Sequence, residues 1–242
     1  FEHPKAVIST ALDDKGELAV AAATEGLAQV WDLNTMTPIG EPLEVDEGLA
    51  SVALNRARQI VAIAMNNGTV FVGSYARPDE QPIVLTHPTA VRAMHLTPNG
   101  KVLYAGDQGG YMYAWNLETL QPIQPPSRHD GEIMTATVAD ASGLVASVSR
   151  HGEVEVWNSQ TNERRIHRLQ YALSAVSVSN DCSALMLAPR GQAFVQVWNI
   201  HEPMAARRYV GEPEKQMITR PDPPKDSPNF IRISKAASWN RV

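Results

Sequence analysis

Histidine is the first residue type to test for chemistry, because an imidazole can ligate a metal or move a proton near neutral pH. The sequence has seven, of which His3, His87 and His129 stand at multiples of 42 residues, while His95, His151 and His167 are isolated. A zinc site needs three or four donors converging at about 2 Å. Residues at one place in successive repeats are carried apart by the repeat, and no His-x-x-x-His or paired-cysteine spacing is present to compensate. Nucleophilic catalysis has no better foundation. There is no Gly-x-Ser-x-Gly, Ser51, Ser147 and Ser177 lie in apolar strand-like runs, and the one cysteine, Cys182, lies in a turn with no patterned histidine. Paired carboxylates occur at Asp13-Asp14 and Asp46-Glu47, both in turns, and a phosphate-cradling Gly-x-x-x-x-Gly-Lys loop is absent. The expectation is a non-catalytic protein that uses no metal and no cofactor.

The elements that position these residues are set by a repeat, the feature to look for before any local reading. Short runs end at Trp31, Gly73, Trp115, Trp157 and Trp198, at intervals of 42, 42, 42 and 41 residues. Thirteen residues before each anchor, Leu18, Ile60, Val102, Leu144 and Leu185 open a second apolar run. Further upstream a third run repeats, as in Leu49/Val52/Leu54 and Val91/Met94/Leu96. Turn formers such as Asp13-Asp14-Lys15-Gly16 and Thr97-Pro98-Asn99-Gly100 separate them, and Gly26, Gly68, Gly110 and Gly152 sit five residues ahead of an anchor, where a tight turn needs positive φ. Each unit therefore reads as short strands, a to d, with no helical period. In strand c of the fourth unit, Val154 and Val156 face one way and Glu153, Glu155 and Trp157 the other. A four-stranded sheet this small cannot cover both its faces alone. Stacking the sheets around an axis covers them, and that arrangement is a β-propeller.

With these motifs the chain resembles the WD-repeat family. Val30-Trp31-Asp32, the Trp-Asn pairs at 115–116, 157–158 and 198–199, and the upstream histidines His3, His87 and His129 carry the likeness over residues 1 to about 200. The resemblance implies an all-β propeller of four-stranded antiparallel blades, most often seven, that works as a protein–protein interaction scaffold. The family's aspartate before the turn glycine, part of a His–Ser/Thr–Asp–Trp hydrogen-bond network, is replaced here by Glu25, Asn67, Gly109, His151 and Arg190. Packing is therefore expected to stabilise each blade more than that network does. Connectors such as Thr37-Pro38-Ile39-Gly40-Glu41-Pro42-Leu43 look like those of bacterial WD arrays, some of which follow a serine/threonine kinase domain. A second reading is accordingly a sensor domain of a larger bacterial signalling protein.

In this family the d–a and b–c connections gather at one face, which implies a candidate docking site at Lys5, Glu25, Asp46, Glu47, Asn67, Asp107, Gln108, Asp130, Arg150, His151, Tyr171 and Arg190. Tyr171 is the best aromatic candidate for an anchor, with packing on a neighbouring blade as the alternative. Residues 1–210 are expected to hold five blades, and the proline-rich stretch 211–242 a degenerate or partial sixth, with Trp239 falling 41 residues after Trp198, or else an ordered tail crossing the propeller. From Ala205 onward, eight basic and four acidic residues leave a net +4 against −9 for the rest, within a whole-chain charge of −5. That balance favours a protein or peptide partner over nucleic acid, and no apolar run nears the roughly 20 residues of a membrane span. One cysteine fits a reducing, cytoplasmic compartment. The opening at Phe1, already inside the repeat pattern, reads as a piece of a longer polypeptide with further domains upstream.

Overall fold

The computed structural model describes residues 5–45, 48–139, 143–159, 161, 163–179 and 182–199, with the backbone of 207–210. The chain divides into two units, Phe1–Val210 and Gly211–Val242. The second, with the expected sixth blade, lies outside the described residues, as do His3, Asp46 and Glu47.

Five antiparallel sheets follow one another along the first unit. Blade 1 is β1 (Val7–Leu12), β2 (Leu18–Ala23), β3 (Leu27–Asp32) and β4 (Thr37–Glu44). Blade 2 is β5 (Leu49–Asn55), β6 (Ile60–Met65), β7 (Thr69–Ser74) and β8 (Ile83–Thr86). Blade 3 is β9 (Val91–Leu96), β10 (Val102–Asp107) and β11 (Tyr111–Asn116), with two short outer pieces, β12 (Gln121–Pro122) and β13 (Ser127–Arg128). Both pieces pair with β11, and Pro125-Pro126 between them cannot donate to the ladder, which explains the break. Blade 4 is β14 (Ile133–Ala139), β15 (Leu144–Ser149), β16 (Glu153–Asn158) and β17 (Arg164–Arg168), and blade 5 is β18 (Leu173–Val178), β19 (Ala184–Pro189), β20 (Phe194–Asn199) and β21 (Arg207–Val210). Among the described residues no helix is long and apolar enough to cross a membrane.

The first strands approach one another in series, β1 to β5, β5 to β9, β9 to β14 and β14 to β18, so strand a is the innermost of each sheet. The core lies between sheets, in four clusters that each join one blade to the next. Val20 and Val30 meet Val52 and Ile63; Val70 and Val72 meet Val91 and Leu103; Tyr104 and Met112 meet Ile133 and Trp157; Val154 and Val156 meet Leu185 and Trp198. The alternation of β16 is explained by this arrangement. Val154 and Val156 cover blade 5, Trp157 covers blade 3, and both faces of the strand are buried. Removing apolar surface from water between sheets stabilises them by about 25 cal/mol per Å2. An isolated blade has no such contact.

Candidate partner-binding face

The same pair of loops is tied together in every blade. The residue after strand b donates its backbone N–H to the carbonyl just before strand a: Thr24 to Ala6, Asn66 to Gly48, Gln108 to Ala90, Arg150 to Glu132 and Arg190 to Ala172, at 2.8–2.9 Å. One connector farther out, Val45, His87, His129 and Leu169 donate N–H to the carbonyls of Gly26, Gly68, Gly110 and Gly152. These glycines have φ of 83°, 91°, 86° and 94°, a region that L side chains rarely adopt. A methyl group on Gly110 or Gly152 would also lie within 2.9 Å of a connector carbonyl or side chain. The b–c turns and d–a connectors thus form one edge of the array, held by backbone bonds that depend little on side-chain identity.

This edge displays Asn67, Gln108, Arg150, His151 and Arg190, all exposed. Lys5 and Glu25 form an exposed ion pair at 2.5 Å in blade 1. Glu132 accepts from Arg150 at 2.6 Å and lies 3.8 Å from Arg92, linking blades 3 and 4. Asp130 takes the Ser149 hydroxyl at 2.7 Å, while its carbonyl lies 2.8 Å from His151 Nδ1. Sequence reasoning passed over Arg92. Its signal is a charge at the second place of an inner strand, where the other copies hold Ile8, Ala50, Met134 and Ser174.

One of the expected surface residues, Asp107, is corrected, and Tyr171 is only partly exposed. Asp107 is fully buried, its carboxylate accepting the Tyr111 N–H at 2.7 Å inside the b–c turn. Desolvation raises its pKa, against the lowering effect of hydrogen bonds from Tyr111, Thr89, Gly109 and Gly110. Gly109 stands where the family aspartate is expected, and Asp107 supplies the turn carboxylate from two residues earlier. Tyr171 is half-buried, packed on the cluster between blades 4 and 5, and its hydroxyl bonds Gln196 Oε1. Of the two expectations for Tyr171, the contacts are those of packing on a neighbouring blade.

Away from the loops, blade 4 gathers a buried polar cluster that sequence reasoning missed. His129 Nε2 lies 2.9 Å from Ser147 Oγ and 3.3 Å from Glu155 Oε2, and Nδ1 lies 3.6 Å from Glu153 Oε1. Each glutamate meets an outer-strand arginine, Arg168 to Glu153 at 2.8 Å and Arg164 to Glu155 at 2.9 Å. Burial pushes the Glu155 carboxyl up, but hydrogen bonding to His129, with the charges of His129 and Arg164, outweighs it and holds the group below its usual value. The alternation Glu-x-Glu in strand c opposite Arg164-Arg165 and Arg168 in strand d was the available signal. Trp157 Nε1 has no hydrogen-bond partner, so the family network is only partly built even here. The arrangement is a set of polar groups in direct contact with one another. Among the described residues, no group of three or more His, Cys, Asp or Glu is placed to hold a metal ion.

No protein-family model matches the sequence. The chain is similar to WD-repeat proteins. It is 22% identical over 163 residues to the LST8 homolog of Drosophila melanogaster, covering 64% of this chain and 52% of that protein. It is 27% identical over 140 residues to human WD repeat-containing protein 81, covering 55% and 7%. It is 24% identical over 152 residues to the serine-threonine kinase receptor-associated protein of Gallus gallus, covering 63% and 43%. The chain thus spans about half or less of the length of these relatives. In solved structures, a chain of a mitotic checkpoint complex superposes with a TM-score of 0.71 at 15% identity, over 87% of this chain and 65% of that one. That likeness establishes the propeller fold. The relatives lend no support to a bacterial style of repeat.

Proposed function

We propose that this chain, a WD-repeat β-propeller array, is a non-catalytic scaffold that holds a protein or peptide partner against its b–c and d–a loops. The observation that carries the reading is the hydrogen bond repeated in all five blades, which locks each b–c turn to the connector before strand a. A face built this way is rigid before binding, so little conformational entropy is lost when a partner docks. Its exposed side chains are polar and of both signs, with Glu25 and Asp130 on the same edge as Arg150 and Arg190. Mixed charge suits a protein surface better than a phosphate backbone. The buried histidine and glutamates of blade 4 are engaged with one another, which supports a structural role for them over a catalytic one. We place the chain in a reducing, cytoplasmic compartment, consistent with its one cysteine being buried between blades 4 and 5. The relatives do not favour the alternative of a kinase-linked sensor domain.

The test is comparative capture from an extract of the source cells, with the chain and its Asn67→Ala/Arg150→Ala/Arg190→Ala variant as baits. Selective loss of a protein from the variant bait, with an unchanged melting temperature, is the expected result. Identical recovery by both baits would remove this face from consideration.

A further inference from the structure

The repeat leaves one inter-blade position unfilled. Trp115, Trp157 and Trp198 each lie on the face of strand c that meets the preceding blade. Strand register places Gly73 at the same point: Gly73 pairs with Val61 as Trp157 pairs with Val145 and Trp198 with Leu185. The neighbouring positions are apolar too. Phe71 stands where blade 4 has Glu155, Ile63 where it has Ser147, and Val45 where it has His129. Between blades 1 and 2, where the indole is missing, lies a partly open cavity of about 450 Å3. At the matching place between blades 4 and 5, Trp198 leaves only about 10 Å3. The larger space falls within the range of ligand pockets, about 300–1,000 Å3, and exceeds the cavity of about 150 Å3 that admits benzene.

Its lining specifies the occupant. Leu43, Val45, Phe71 and Pro82 present apolar surface over a floor of buried Val61, Ile63 and Met65, and the same protein packs indoles at this point in other blades. The rim carries Glu44 and Glu80. Glu80 is paired with Arg77 at 2.6 Å, whereas Glu44 is exposed and the described residues offer it no ion pair. We infer that the cavity between blades 1 and 2 binds a tryptophan side chain of a partner peptide, with a Lys or Arg next to that tryptophan meeting Glu44. The inference rests on the scaffold reading only for the source of the ring. The site shares Asn67 with the loop face but uses neither Arg150 nor Arg190.

The probe is the capped tripeptide Lys-Trp-Lys, with indole as the uncharged control, titrated into the full chain while the methyl signals of Val61, Ile63 and Met65 are followed by NMR. Both compounds are expected to shift these methyls. Glu44→Gln, a surface change, is expected to weaken the tripeptide at least threefold and leave indole unchanged. Gly73→Trp fills the site from within and is expected to abolish both responses. Absence of methyl shifts with either compound overturns the proposal, and because this readout uses the native chain it holds even where Gly73→Trp does not fold. Shifts from indole without shifts from the tripeptide also overturn it, since the site would then take a free aromatic molecule. An Arg150→Ala/Arg190→Ala variant, which leaves Asn67 on the cavity wall intact, is expected to bind the tripeptide as the native chain does, so failure of the loop face and failure of this cavity give different results.

Discussion

His129 Nε2 stands 2.9 Å from Ser147 Oγ, a buried hydrogen bond between the connector entering blade 4 and that blade's second strand. The same connector position in blade 3 is His87, and the same strand position is Ala105, which pairs with Tyr113 as Ser147 pairs with Glu155. His87 is as buried as His129, yet neither of its ring nitrogens has a hydrogen-bond partner. It packs edge-on against Tyr113 at 4.5 Å and Trp115 at 5.7 Å instead. One repeat position thus serves as a polar bridge in one blade and as an aromatic filler in the next.

Exchanging the hydroxyl between these blades tests that contrast. Ser147→Ala should destabilise by about 1–2 kcal/mol, because a buried imidazole nitrogen loses its best partner. Ala105→Ser should stabilise by about 1 kcal/mol by giving His87 one. Urea unfolding midpoints measure both, and a loss in the Ala105→Ser variant would mean that the hydroxyl does not reach the ring.

Acid should destabilise the array in the range where His87 titrates. Burial pushes its pKa down from 6.5 to about 4, so the unfolded chain takes up the proton first. For a base held neutral in the fold, the contribution is complete above 6.5 and is lost as pH falls towards 4. The gap corresponds to about 3 kcal/mol. His95 is shifted to about 4 by the same cause and adds to the loss over the same range. The Glu155 carboxyl, held low, adds a loss in the same direction at still lower pH. His87→Phe should flatten the dependence of the urea midpoint on pH between 4 and 6.5. An unchanged slope would assign the acid sensitivity to other groups.

Asp107 should behave as a structural residue. Asp107→Ala removes the acceptor for the Tyr111 N–H inside a buried turn, at a cost of about 1–3 kcal/mol. Arg150→Ala, at an exposed ion pair with Glu132, should cost less than about 1 kcal/mol. Thermal melts separate the two, and equal losses would contradict the burial of Asp107.

Packing should outweigh the polar cluster. Trp157 is 2% exposed and fills the interface with Tyr104 and Met112, so Trp157→Ala should cost about 3–5 kcal/mol. His129→Ala should cost less, because it removes a smaller group, leaving Ser147 without the imidazole while Glu155 keeps Arg164. A larger loss for His129→Ala in a denaturant series would reverse that ranking.

Gly68 should resist substitution more than Gly16 does. Gly16 has φ of 66° and open space around its Cβ position, so Gly16→Ala should cost about 1 kcal/mol. At Gly68, φ is 91° and a Cβ would run into the His87 carbonyl oxygen, so both strain and collision apply. Gly68→Ala should cost well over 2 kcal/mol by the same melts. Equal costs would show that the connector gives way.

Much of this architecture was legible in the sequence because it repeats. A step of 42 residues, anchored by Trp31, Trp115, Trp157 and Trp198, sets strand spacing and turn positions, and the alternation at Val154 and Val156 shows that a blade must be covered on both sides. The glycines at 26, 68, 110 and 152 announce positive φ, since the backbone there needs a residue without a Cβ. These properties depend on residue type and local order, which a sequence carries in full.

What the tertiary structure decided are contacts between residues far apart in the chain. Asp107 reads as a turn carboxylate in sequence, and only the fold brings Thr89 from the preceding connector to it. Tyr171 reads either as an exposed anchor or as packing on a neighbouring blade until blade 5 brings Gln196 to its hydroxyl. Glu153 and Glu155 look like outward charges on an alternating strand, yet His129 and two arginines from another strand make their burial tolerable. The absence of a tryptophan at Gly73 is visible in the sequence. That it leaves a cavity is not, because the size of a void depends on how far the neighbouring blade can close over it, and packing across an interface is not encoded at any single position.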